Sequence, residues 1–434
     1  MDGLVTRACY LLFGSNPIIV TIVYFLFLSL VYFLSKRLKN KGLFLFIISI
    51  TPAILYLIRL LLNDYFLSDD FDHFVLVSKY SYLEIFIKGI TANGIWAFHR
   101  LFTSFWLFKL IYSIFKTNYY AFAVVNFCLH VLNLYFLTLI LKKIFKNIYV
   151  TSILIFIMSF HYLTWISNIH ELLAGFFFLS TFYLTFNSKF KVLPIITYIL
   201  GIYSKEIVFI FPLCYVLFLV FYNNYVKKIN LRELILSLKP FFVIFLLYLV
   251  VFIKDFYNFT NFTTGSGYDL IFKLNTLFNH LVFYLTDRIP FISGIFGFLV
   301  FTLMVLLYDI VKKKLILTPL YVSFIALIFP VLLLSKNTSY YSYIPSFFLI
   351  ITIGVILNKF EKMSTLLSLV FASLLLVFVF KTNIKLQENC FLIQFPRIHP
   401  RRQAVEDILS GKENNSDEAK WFLENNYLPY FKVK

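Results

Sequence analysis

Apolar runs of about 20 residues recur along this chain from residue 17 to residue 380, and they restrict it to very few folds. A hydrocarbon layer roughly 30 Å thick is crossed by about that length of helix. A closed barrel would instead show strands of about 10 residues with alternating polarity, and these runs do not alternate. Composition points the same way. The chain is 61% hydrophobic with mean hydropathy +0.85, and 57 of its residues are Phe and 30 are Tyr. No soluble domain of this length buries so much apolar surface. The expected fold is therefore all-α: a polytopic transmembrane bundle of about 12 spans with external interfacial helices.

Charge sets the expected topology. The net charge is +18, and the Lys and Arg residues lie mainly between apolar runs. Cytoplasmic loops collect such residues, so the charge is read as topological and no nucleic-acid partner is implied. The link Ser35–Lys41, the pairs Lys142-Lys143 and Lys227-Lys228, and Lys312-Lys313-Lys314 are placed inside. Spans are expected at 17–34, 43–63, 119–141, 148–167, 172–187, 192–203, 207–222 and 240–253, then at 291–310, 315–334, 341–357 and 363–380. Segments 74–116, broken at Asn93-Gly94, and 276–290 are only patchily apolar and are read as interfacial helices. A polar external loop is expected over 254–275, carrying formal glycosylation sequons at Asn258 and Asn261. Residues 1–380 form one transmembrane domain in this reading. Residues 381–434 form a short polar tail on the non-cytoplasmic side, with a helix near Asp417–Asn426. The first long run is read as a retained anchor, not a cleaved signal. Cys9, Cys128, Cys214 and Cys390 have no metal-ligand spacing.

The stretch Leu67-Ser68-Asp69-Asp70-Phe71-Asp72-His73 stands out, because only 14% of the chain is charged. Ionisable groups at the mouth of a membrane helix are costly to desolvate and usually mark a site. The topology brings Arg100, His170, Glu171, Lys205, Glu206, Arg288 and Lys336 to the same face. A carboxylate there can take a proton from a hydroxyl, while cations hold a phosphate leaving group. Plainer readings stand beside this one. The acidic stretch can be a hydrated loop, with Asp72 and His73 capping the next helix. Lys205-Glu206 can be a helix-end ion pair, and Arg100 a snorkelling interfacial arginine. Asn126, His130 and Asn133 share one helical face and read best as interhelical hydrogen bonders. His161 reads as packed or interfacial.

The order of these motifs resembles the GT-C glycosyltransferases, and most closely their protein O-mannosyltransferase-like branch. The acidic pair Asp69-Asp70 sits where that family has one. Phe98-His99-Arg100-Leu101 resembles its aromatic-Arg-Pro-Leu motif without the proline. Asn126, His130 and Asn133 follow, then Trp165, Ser167 and His170-Glu171-Leu172-Leu173-Ala174. Ser204-Lys205-Glu206 with Pro212, and Tyr340-Tyr341-Ser342-Tyr343-Ile344-Pro345, complete the series over roughly residues 60–350. The chain departs from the family in an additional early span, in the missing proline and in His170 before Glu171. The acceptor and the donor subtype stay open on those points.

The resemblance implies an enzyme that moves a monosaccharide from a polyprenyl-phosphate carrier to a hydroxyl on the non-cytoplasmic face. The acceptor would be a surface or lipid-linked glycan, or else a protein Ser or Thr. Asp69 or Asp70 would be the general base, and the sequence does not separate them. Arg100 and Lys205 would hold the donor phosphate, with Glu206 as partner to Lys205. Arg288 is added from topology, and His73, His170 and Glu171 support. The polyprenyl-phosphate sugar is the co-substrate, no further cofactor is implied, and a divalent metal is left open. The expected setting is a bacterial plasma or inner membrane. A lipid-linked polysaccharide polymerase or ligase, or a lipid-glycan flippase, are the alternatives.

Overall fold

The computed structural model describes residues 68–91, 102–159, 166–187, 192–228, 238–262, 273–288, 294–334, 339–360 and 403–425, together with Ala53, Phe66, Leu236, Tyr427 and Leu428. The expected spans at 17–34 and 363–380, and all but Ala53 of the one at 43–63, lie outside the described residues, as do Arg100, His161, Lys336 and the Asn93-Gly94 break. Among the described residues the fold is all-helical. The helices are α1 (Ser68–Lys79), α2 (Tyr82–Thr91), α3 (Phe102–Phe115), α4 (Tyr119–Ile144), α5 (Ile148–Ser159), α6 (Ile169–Phe186), α7 (Leu193–Ile202), α8 (Phe211–Tyr225), α9 (Lys239–Phe262), α10 (Leu274–Arg288), α11 (Gly294–Lys312), α12 (Leu317–Leu332), α13 (Ser346–Phe360) and α14 (Asp417–Glu424).

Among the described residues four stretches are long and apolar enough to cross a membrane: Tyr119–Ile144, Ile169–Phe186, Glu206–Tyr225 and Ile295–Lys312. Shorter apolar helices pack between them. Central helix α6 lies against α4 and α7, α8 against α12, and α13 against α5 and α12. Phe178, Phe182, Phe211, Tyr215 and Phe348 fill the centre, with Phe182 and Phe218 ring centroids 4.5 Å apart. α13 meets α5 at Gly354, where an added Cβ would stand 2.6 Å from Leu154 Cδ1 and from Phe145 Cζ. A residue without a side chain lets the two backbones approach, as small residues do between membrane helices.

Local signals account for several helix limits. Asn118 caps α4, its side chain accepting from the Tyr120 amide at 3.0 Å. Ser81 and Glu84 form a reciprocal capping box at the start of α2. Asp309, near the end of α11, accepts from the amides of Leu317 and Thr318 at 2.8 Å each and so caps α12 from a neighbouring helix.

Three expectations are corrected. The external loop expected from residue 254 is helical up to Phe262, so Asn258 and Asn261 lie in α9. Aromatic residues continue through 256–262, and no Gly or Pro interrupts before Gly265. Of the run expected at 148–167, Ile148–Ser159 is helical, 160–165 lie outside the described residues, and positions 166 and 167 fall in a 3₁₀ turn, Ile166–Asn168. Asp72 and His73 do not cap the next helix, because α1 has already begun at Ser68.

Candidate functional site

α1 carries the acidic stretch and is held by its apolar positions. Phe71, Phe74 and Val77 are fully buried, and Phe74 packs edge-on against Phe66 at 4.7 Å and on Phe108 of α3 at 5.2 Å. Lys109 of α3 donates to the Val77 carbonyl at 2.5 Å and so serves the C-terminal end of α1. Burial holds that ammonium below its usual range, against the raising influence of Glu84.

With α1 fixed, His73 sits half-buried between the rings of Phe105 and Phe108, at 5.1 and 5.3 Å. Its Nε2 lies 2.7 Å from Nε2 of His170, which begins α6. One of the two nitrogens must carry the proton and the other accept it, so the contact holds one proton and not two.

Glu171, in the first turn of α6, takes advantage of the positive end of the helix dipole. Its Oε1 is ion-paired with Lys205 Nζ, and both side chains are buried. Lys205 has an extended backbone between α7 and the 3₁₀ turn Glu206–Ile210. That conformation aims its ammonium over the ring of Tyr341, 4.4 Å from the centroid. Ser204 ties the same corner to α3, donating to Thr103 Oγ1 at 3.1 Å, while Ser104 donates to the Ser204 carbonyl at 3.4 Å. His73, His170, Glu171, Lys205 and Tyr341 thus come from four separate parts of the chain into one group, of which Glu171, Lys205 and Tyr341 are buried and the two histidines half-buried.

A polar layer beneath holds these pieces in register. Asn126 donates to the Ile166 carbonyl at 3.1 Å. Asn133 donates to the Leu172 carbonyl at 2.9 Å and to the Tyr343 hydroxyl at 3.1 Å. His130 contacts the Ser159 carbonyl through Nε2 at 3.4 Å and the Tyr343 hydroxyl through Nδ1 at 2.9 Å. The network assigns one tautomer: Nε2–H donates to Ser159, and Nδ1 accepts from Tyr343. The expected interhelical role of the Asn126, His130 and Asn133 face is what the structure displays.

The remaining candidates divide. Asp70 is 1% exposed. Asp69 lies in α1 four residues before His73, and its side chain is outside the described residues, as is that of Arg288 at the end of α10. Asp72 is engaged from the tail: Tyr427 donates to its Oδ1 at 2.8 Å. Trp421, Phe422 and Tyr427 surround Phe71 at 5.5, 5.9 and 5.3 Å. Sequence reasoning missed this docking, although an aromatic group at the end of a polar tail was its visible signal. Glu206 is not the carboxylate paired with Lys205; Glu171 is, because α6 delivers it across the gap while Glu206 turns away into the 3₁₀ turn. Glu206 Oε2 is buried without a hydrogen-bond partner among the described residues. No group of three His, Cys, Asp or Glu suited to a metal occurs among the described residues.

The site lies at one end of the bundle. α6 carries His170 at this end and finishes at Phe186, about 24 Å away, where Lys143 meets Asn187. No family model, curated protein or solved structure matches the chain. What the fold defines is an all-helical protein with helices fit to span a membrane and a buried ionic group at one end.

Proposed function

We propose that this chain is an integral-membrane glycosyltransferase that moves a monosaccharide from a polyprenyl phosphate to an acceptor hydroxyl. The observation that carries the reading is the meeting of the acidic helix α1 with the Glu171–Lys205 pair through His73 and His170. The full bundle then has about twelve spans, counting the runs at 17–34, 43–63 and 363–380. Lysines crowd the opposite end, and by the positive-inside tendency this supports a site on the non-cytoplasmic face.

In the transfer the acceptor oxygen bonds to the anomeric carbon, and the bond from that carbon to the phosphate oxygen breaks. An α1 carboxylate receives the hydroxyl proton, and polyprenyl phosphate leaves with the electron pair. Spacing favours Asp69 for that role, because position 69 lies one helical turn before His73. Lys205 is already balanced by Glu171, so it cannot by itself neutralise the leaving phosphate. Further positive charge is assigned to Arg100 and Arg288 from the sequence reading.

Membranes containing the chain are supplied with a labelled polyprenyl-phosphate monosaccharide or a diphosphate-linked oligosaccharide. Transfer from the first, lost in Asp69→Asn or Asp70→Asn, supports the reading. Full activity in both variants overturns the catalytic assignment, and use of the second donor alone points to a polymerase or ligase.

A further inference from the structure

Among the described residues five helices, α4, α6, α8, α11 and α13, finish at the end of the bundle remote from the site, and all but α6 converge on Tyr225. Its ring lies 6.3 Å from that of Phe145, just past α4. Its hydroxyl accepts from Asn358 of α13 at 3.1 Å, and the adjacent Asn224 donates to the Leu315 carbonyl beyond α11 at 3.0 Å. Each of the four ends at Tyr225 carries lysine: Lys142 and Lys143 on α4, Lys227 after α8, Lys312 on α11 and Lys359 on α13. Lys143 feels the charge of Lys227, and Lys359 that of Lys312, so these are like charges held near one another across helices.

Helix C-termini attract cations, which is the plain explanation for terminal lysines. Its magnitude is insufficient here. With α6 included, five C-termini offer about half a negative charge each, roughly two and a half in all, against five lysines before Lys146, Lys228, Lys313 and Lys314 are added. Asp309 is the one carboxylate on these ends among the described residues, and both its oxygens are occupied by the amides of α12. Among the described residues a positive surplus is therefore left at these ends. Aromatic rings flank it: Lys143 lies 4.7 Å from the Phe186 centroid and Lys359 3.8 Å from that of Tyr308. Rings beside cations at the end of an apolar bundle suit the headgroup layer of a bilayer.

We propose that this lysine-ringed end is a binding surface for anionic phospholipid headgroups, with phosphates seated between Lys143 and Lys227 and between Lys312 and Lys359. Charge and aromatic placement carry the assignment, which is independent of the transferase reading. Basic ground between helix ends gathers lipid phosphates in this way, and each lysine adds to the attraction.

The full chain, purified in detergent, is incubated with equal amounts of phosphatidylglycerol and phosphatidylcholine and examined by native mass spectrometry. Phosphatidylglycerol is expected to be retained about tenfold more than phosphatidylcholine. Quadruple substitution Lys143→Gln, Lys227→Gln, Lys312→Gln and Lys359→Gln should abolish the preference, and the four Lys→Arg changes should keep it. Raising ionic strength should weaken it in the unaltered chain, whatever the glutamine variant does to folding. Equal retention of the two lipids, a salt-insensitive preference, or a glutamine variant that still selects phosphatidylglycerol would overturn the proposal.

Discussion

His73 and His170 meet Nε2 to Nε2 at 2.7 Å, although 97 residues separate them in the chain. The contact joins the acidic helix to the first turn of α6, and it is the bridge between the carboxylates of α1 and the Glu171–Lys205 pair. Its partners share one proton, so the two rings act as a unit. A double-mutant cycle with His73→Ala and His170→Ala should give a coupling energy of about 0.5–3 kcal/mol. Thermal unfolding of the detergent-purified chain measures it. Strict additivity would mean that the rings do not depend on each other.

The Glu171–Lys205 pair separates stability from chemistry. Glu171→Gln or Lys205→Met alone leaves a buried charge uncompensated, at a cost of about 3–5 kcal/mol. The double variant removes both charges and should regain most of that loss. Sugar transfer should stay absent in it. A double variant that melts normally and transfers at the wild-type rate would confine the pair to a structural role.

Gly175 is set by contact. An added Cβ would stand 2.9 Å from Cε1 of Tyr343 and 3.2 Å from Nδ2 of Asn133. Tyr343 is fully buried and bonded to both His130 and Asn133, so its ring has little room to withdraw. Gly175→Ala should destabilise the chain by about 1–3 kcal/mol through overpacking, read as a lower melting temperature. An unchanged melting temperature would show that the ring yields freely.

Tyr427→Phe deletes one hydrogen bond to Asp72 and keeps the ring that packs on Phe71. A bond to a carboxylate contributes about 1.5–3 kcal/mol. The loss should fall on the docking of the tail, so limited proteolysis should cut the 403–428 region faster while the bundle resists as before. Equal protease sensitivity in the two proteins would count against the contact.

Much of the architecture was legible in the chain because membrane helices are local objects: their length and polarity are written in consecutive residues. The runs that became α4, α6, α8 and α11 are found within a few residues of where the sequence places them, and the face of Asn126, His130 and Asn133 follows from helical period alone. Partner choice is a different kind of quantity. Adjacency in sequence suggested Glu206 for Lys205, but the pair depends on how α6 and α7 cross, and that crossing presents Glu171. Asp72 likewise looked like a member of one acidic cluster until the tail, 355 residues away, came round to bind it. Spacing and hydropathy decide what each segment is; only long-range packing decides which buried charge meets which, because that energy belongs to pairs of atoms brought close by elements far apart in the chain.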